Sequence, residues 1–182
     1  MLREELSDGR VRLRRYGPEQ APGVFAAIEE SRAELTRWMH WCGPHYSYED
    51  GLMFAQARDE CWARGDSYIF LIHEGASKEV LGTCGLNQID RINLRANLGY
   101  WVRTSRTGRG LAACATRLLA DFGFNDLGLR RLEITVAVEN RASQRVAEKA
   151  GALREGLLRE RLRLQGVQHD AVAFALVRSR PE

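Results

Sequence analysis

Val11 and Leu13 alternate with Arg12 and Arg14, the two-residue period of a half-buried strand over 11–15. After the Gly17-Pro18 break, Val24, Ala27, Ile28 and Leu35 recur at helical spacing and predict a helix over 21–36. The aromatic segment Trp38-Met39-His40-Trp41 follows and closes at Gly43-Pro44. Leu52, Phe54, Ala55, Cys61 and Trp62 then predict a second helix from Ser47 or Tyr48 to near Gly65. Three β-branched or aromatic runs come next, at 67–73, 80–86 and 95–103, with a turn at Gly75-Ala76-Ser77. They read as an antiparallel meander.

The period then changes. Leu111, Cys114, Ala115, Leu118, Leu119 and Phe122 form one apolar helical face. Leu132, Ile134, Val136 and Val138 alternate as a strand over 131–138. Asn140 opens a further helix that Gly151 ends, and strands at 153–164 and 170–177 flank the Gln165-Gly166 turn. Strand–helix–strand in the middle of the chain predicts a parallel βαβ crossover. The fold class expected is therefore α/β, a mixed sheet with a parallel unit flanked by antiparallel strands. No repeat or linker divides the 182 residues, so 1–182 is read as one domain.

Composition narrows the class. With 45% hydrophobic and 28% charged residues the chain is globular rather than disordered. No apolar stretch is long enough to span a bilayer, and the charged start Met1-Leu2-Arg3-Glu4-Glu5 lacks the apolar core of a secretory signal. The expectation is a cytoplasmic protein away from membranes. The net charge is +3. Acids interrupt the arginines, as in Arg159-Glu160-Arg161, so direct nucleic-acid binding is not expected. Cys42, Cys61, Cys84 and Cys114 show neither C-x-x-C nor zinc spacing, which predicts reduced thiols and no metal.

The chemistry concentrates in Arg106-Thr107-Gly108-Arg109-Gly110-Leu111-Ala112-Ala113, between a strand and a strong helix. Glycines there permit a tight turn, and the free N–H groups of a helix start attract phosphate. Arg106 and Arg109 can add charge-assisted bonds. The competing reading is a glycine turn that caps a helix and binds nothing. No Gly-Lys-[Ser/Thr] follows, so this is not a Walker loop, and the third glycine of a dinucleotide fingerprint is missing.

Further segments carry a resemblance: Leu81-Gly82, Leu98-Gly99-Tyr100-Trp101, Asn140-x-x-Ser143, Glu148-Lys149-x-Gly151, and Asp170 before the last strand. In this order the chain resembles the GNAT acetyltransferase superfamily, in its RimJ/RimL-like branch of ribosomal-protein N-acetyltransferases. The resemblance implies a GNAT-like sheet and acetyl-CoA as co-substrate. It implies a diphosphate loop over Gly108, Arg109, Gly110, Leu111, Ala112 and Ala113, with Thr107 where relatives carry Gln or Arg. The pantetheine arm is expected between the strand that ends Tyr100-Trp101-Val102-Arg103 and the strand from Leu132 to Val138, with Asn140 and Lys149 as further cofactor contacts. Ala152 stands where many relatives carry a bulky aromatic.

The same resemblance implies direct transfer to an amine, with a backbone N–H near Trp101 or Val102 facing the developing oxyanion. Ser143 is expected near the leaving sulfur, or else is an ordinary first-turn residue. Glu133 is the candidate base, or else an ion-paired strand carboxylate. Tyr100, His40 and His45 are alternatives for acceptor contact, and Trp38, His40 and Trp41 are expected to line the acceptor cleft. The acceptor is read as a protein N-terminus. A small amine such as a polyamine or antibiotic is the enzymatic alternative, and a non-catalytic acyl-CoA-binding module the alternative of another class. A homodimer is compatible with either.

Overall fold

The computed structural model describes residues 2–179, so the ends of the expected domain at residue 1 and at 180–182 lie outside the described residues. Eight strands form one sheet: β1 (Glu5–Ser7), β2 (Val11–Arg15), β3 (Tyr68–Glu74), β4 (Gly82–Asp90), β5 (Arg95–Val102), β6 (Arg131–Ala137), β7 (Leu153–Leu164) and β8 (Val167–Val177). Their order is β1-β2-β3-β4-β5-β6-β8-β7, and every pair is antiparallel except β5–β6. The mixed α/β sheet with one parallel crossover is the architecture that the two periodicities predict.

Helices cover both faces. On one side lie α1 (Ala21–Trp38) and α2 (Tyr48–Gln56), whose Val24, Ile28, Leu35 and Ala55 pack with Tyr16, Leu71 and Trp101. On the other lie α4 (Leu111–Asn125) and α5 (Arg141–Lys149), whose Leu111, Leu119, Phe122 and Ala147 pack with Phe70, Leu98, Ile134 and Phe174. Central β3 is buried through Phe70, Leu71, Ile72 and His73, because side chains on both of its faces meet a helical layer.

Four differences from the sequence reading have local causes. The expected helix over 47–65 is two, α2 and α3 (Arg58–Arg64), joined at Ala57. The Arg58 guanidinium donates to the Phe54 carbonyl at 2.8 Å, the oxygen that the next helical N–H would otherwise take. β4 starts at Gly82 and runs on to Asp90, because Asn87 still pairs with Asn97 and a bulge at Gln88, with φ of 51°, lets pairing resume at Asp90↔Arg95. β8 begins at Val167, since Gln165 and Gly166 both take positive φ and make a two-residue hairpin turn. The three-residue strand β1 is too short for alternation to reveal; it is held by its pairing with β2 and by Leu6, which is buried in the core.

Candidate active site

β5 and β6 pair only over Arg95↔Arg131, Ala96↔Leu132 and Asn97↔Glu133. Beyond that point β5 follows β4 to Val102, while β6 follows β8 to Ala137. The two parallel strands therefore part into a V. Gly82 helps to hold β5 on the β4 side. Its φ is 154°, and a side chain there would strike the Trp101 carbonyl at 2.1 Å.

Backbone direction alternates along β5. Arg103 N–H donates to Leu81 O on the β4 side at 2.7 Å, and Leu94 O accepts from Arg130 N–H on the β6 side at 2.6 Å. Odd-numbered residues thus turn their backbone groups to β4, and Leu98, Tyr100 and Val102 turn theirs into the V. Of the two N–H groups expected to face the oxyanion, that of Val102 turns into the V and that of Trp101 faces β4. A peptide-like arm laid in the V meets unpaired strand groups, as an added strand would.

At the mouth of the V, Gly108 and Gly110 take φ of 75° and 77°, which a side chain would strain. Gly110 is the N-cap of α4, and Cys114 N–H is bonded to Gly110 O at 3.1 Å. The N–H groups of Leu111, Ala112 and Ala113 therefore precede the first helical bond and are free to meet an anion. A Cβ on Gly108 would have nothing within 4 Å, so the cradle is open.

The loop before the cradle is pinned. Thr104 N–H donates to Ser31 Oγ at 2.9 Å and Ser105 N–H to Glu30 at 3.1 Å, both on α1. Arg103 pairs with Glu79 at 2.7 Å and Glu30 at 3.3 Å, Arg106 with Glu79 at 2.8 Å, and Arg109 with Glu74 at 2.7 Å. Each of these arginines, expected to contact phosphate, is thus paired with a carboxylate, which ties the loop to α1, to β3 and to the segment before β4. Thr107 turns its hydroxyl back to Thr104 O at 2.9 Å.

Across the V, Tyr100 on β5 meets the first turn of α5. Its hydroxyl donates to Ser143 O at 2.9 Å and accepts from Ser143 Oγ at 3.2 Å. Burial pushes the phenol up to about 12, with the Ser143 bond opposing, so Tyr100 holds its proton at neutral pH. Asn140 accepts from Ser143 N–H at 3.0 Å and caps the helix. Replacing Asn140 by Ala should cost about 1 kcal/mol of stability. A denaturant melt measures that loss, and an unchanged midpoint would show that the cap contributes nothing. Gln144 is buried and donates to Ala137 O and Val138 O, which fixes the end of β6 against α5. Sequence reasoning missed it, although a glutamine on the inward face of a helix is a signal.

The remaining candidates are dispersed. Glu133 sits where the strands are still paired, bonded to Arg95 at 3.1 Å and Arg131 at 2.7 Å. Lys149 is exposed on the last turn of α5, and its carbonyl accepts from Arg117 at 2.9 Å. Trp41 packs on Trp101, with centroids 6.4 Å apart, which brings the aromatic segment against β5. Trp38 belongs to α1, bonds Glu34 through Nε1 at 2.8 Å and carries Arg37 over its ring. His40 is exposed. Gln165 in the β7–β8 turn donates to Thr36 O at 2.9 Å, so that hairpin reaches the end of α1. Among the described residues no cluster of His, Cys, Asp or Glu could hold a metal, and no helix is long and apolar enough to cross a membrane.

A parallel pair that opens beside a helix start with free N–H groups suits the diphosphate and the peptide-like arm of a coenzyme A thioester. The chain belongs to the acetyltransferase (GNAT) domain family, which matches residues 10–153. It is an N-acetyltransferase, and acetyl-CoA is its co-substrate. YdaF of Bacillus subtilis (strain 168), named as a ribosomal N-acetyltransferase, is 34% identical over 171 residues, 92% of this chain and 91% of that one. The ribosomal-protein-serine acetyltransferase of Escherichia coli (strain K12) is 27% identical over 85% of each chain. Among solved structures, RimL, the ribosomal L7/L12 alpha-N-protein acetyltransferase in complex with coenzyme A, superposes with a TM-score of 0.88. It is 25% identical, over 96% of this chain and 98% of that one.

Proposed function

We propose that this protein, acting as one domain over 1–182, acetylates the N-terminal amine of a ribosomal protein. The observation that carries the choice of acceptor is the state of Glu133. The carboxylate that the sequence offers as base is bonded to two arginines at the closed end of the V. An acceptor that needs little deprotonation suits such a site. A protein α-amine has a pKa of about 7.7–8.0 and a lysine side chain about 10.4, so near pH 8 only the former is substantially neutral. The names of the relatives from Bacillus subtilis and Escherichia coli support the same acceptor class.

Bound acetyl-CoA supplies an activated carbonyl and a thiolate leaving group. The chain's residues do the rest. The 108–113 backbone holds the diphosphate, the free edge of β5 holds the arm, and Val102 N–H donates to the carbonyl oxygen as charge builds there. The Tyr100–Ser143 pair donates a hydrogen bond to the departing sulfur, and the proton that the amine loses as the amide forms ends on the thiolate; a thiol like that of cysteine, with a pKa of about 8.5, needs only modest assistance to leave. Trp41 and the β7–β8 hairpin flank the approach of the acceptor.

A thiol-release assay with three acceptors tests this. A peptide with a free ribosomal-protein N-terminus should turn over. The same peptide with a blocked N-terminus and an internal lysine should not, and spermidine should be poor. Preference for spermidine or the internal lysine would overturn the acceptor. Release with none of them would favour a binding module.

A further inference from the structure

The three loop arginines leave an electrostatic question. Coenzyme A brings negative phosphates to the start of α4, yet Arg103, Arg106 and Arg109 are matched by Glu30, Glu74 and Glu79. One guanidinium at the cradle comes from elsewhere in the chain. Arg10 lies in the turn between β1 and β2, and its Nη1 is 4.0 Å from the position of a Cβ on Gly110, the N-cap of α4. Its Nη2 donates to the Arg109 carbonyl. It is exposed, and among the described residues it has no carboxylate within ion-pair distance.

Arg10 is also held in place. Its N–H donates to Asp8 Oδ1 at 3.0 Å, and its carbonyl accepts from Gly75 N–H at 2.8 Å. The Asp8 carboxylate is occupied with the N–H groups of Arg10 and Val11. With one terminal nitrogen on Arg109 O, the other lies over the helix start. A cation fixed there before binding loses little freedom when an anion arrives.

We propose that Arg10 is the cation that binds the diphosphate of coenzyme A at the start of α4. This rests on the assignment of the cradle to coenzyme A. The inserted charge comes from the first hairpin, about a hundred residues away in sequence from the glycine loop that it serves.

Calorimetry with two ligands tests it. Coenzyme A and 3′-dephospho-coenzyme A are titrated into the wild type, Arg10→Ala and Arg10→Gln, at low and high salt. Gln keeps a donor for the Arg109 carbonyl and drops the charge, and thermal melts show that each variant is folded. The expectation is a loss of about tenfold for both ligands in both variants at low salt, as removal of one charge-assisted bond implies. The gap should narrow at high salt, because exposed charges are screened. Wild-type affinity in Arg10→Gln would show a purely structural clamp and overturn the proposal. A loss for coenzyme A alone would move Arg10 to the 3′-phosphate and overturn the diphosphate assignment. A wild type that binds neither ligand would refute the cradle itself, a distinct failure.

Discussion

Replacing Gly110 by Asp should abolish coenzyme A binding while the protein stays folded. The two parts of that expectation have separate causes. In the folded chain the new Cβ meets only Arg10 Nη1, at 4.0 Å, so nothing is displaced. The strain of a side chain at φ of 77° costs about 1–2 kcal/mol. A carboxylate at the start of α4 recovers part of that through the helix dipole and the facing guanidinium. Binding fares differently. The carboxylate occupies the place and carries the sign of the diphosphate, and two like charges about 4 Å apart repel by about 4 kcal/mol at an effective dielectric constant of 20. That corresponds to a loss of several hundredfold or more. Calorimetry measures it, and wild-type affinity in a folded variant would remove the cradle from 108–113.

The second large effect should fall on kcat. Tyr100→Phe keeps the ring and its packing but removes the hydroxyl that links β5 to Ser143. A positioned proton donor contributes about a hundredfold or more in general, and a thiol leaving group needs less than most, so kcat should fall roughly tenfold to a hundredfold. KM for acetyl-CoA should hardly move, because the bond gains strength only as charge reaches the sulfur. Ser143→Ala should lower kcat less. The double variant should be no worse than Tyr100→Phe, since hydroxyls that act as one unit are not additive. Asn140→Ala should differ in kind, raising KM for acetyl-CoA. Small additive effects of Tyr100→Phe and Ser143→Ala would mean that the pair only fastens α5 to the sheet, with water serving the sulfur.

Much of this protein is legible in its sequence because the cause lies within a few residues. The alternation of 131–138, the apolar face of 111–122 and the change of period between them dictate a parallel crossover in a mixed sheet. Gly108 and Gly110 announce a turn of positive φ before a helix, and Asn140 announces a cap. Those features depend on backbone preference and on spacing along one element, which a linear reading contains.

What the sequence could not state are the matters decided by residues far apart in the chain. Whether Arg103, Arg106 and Arg109 bind a ligand or pin a loop depends on Glu30, Glu74 and Glu79, which fold places beside them. Whether Glu133 is a base depends on Arg95, which reaches it only because β5 and β6 are still paired there. Whether the Val102 or the Trp101 N–H faces the V depends on which edge of β5 is covered by β4. Local preference fixed the elements, since a dihedral or an apolar face is set by near neighbours. Charge partners, free edges and the Arg10 guanidinium were fixed only by packing, since an ion pair or an unpaired N–H is a property of what folding brings alongside.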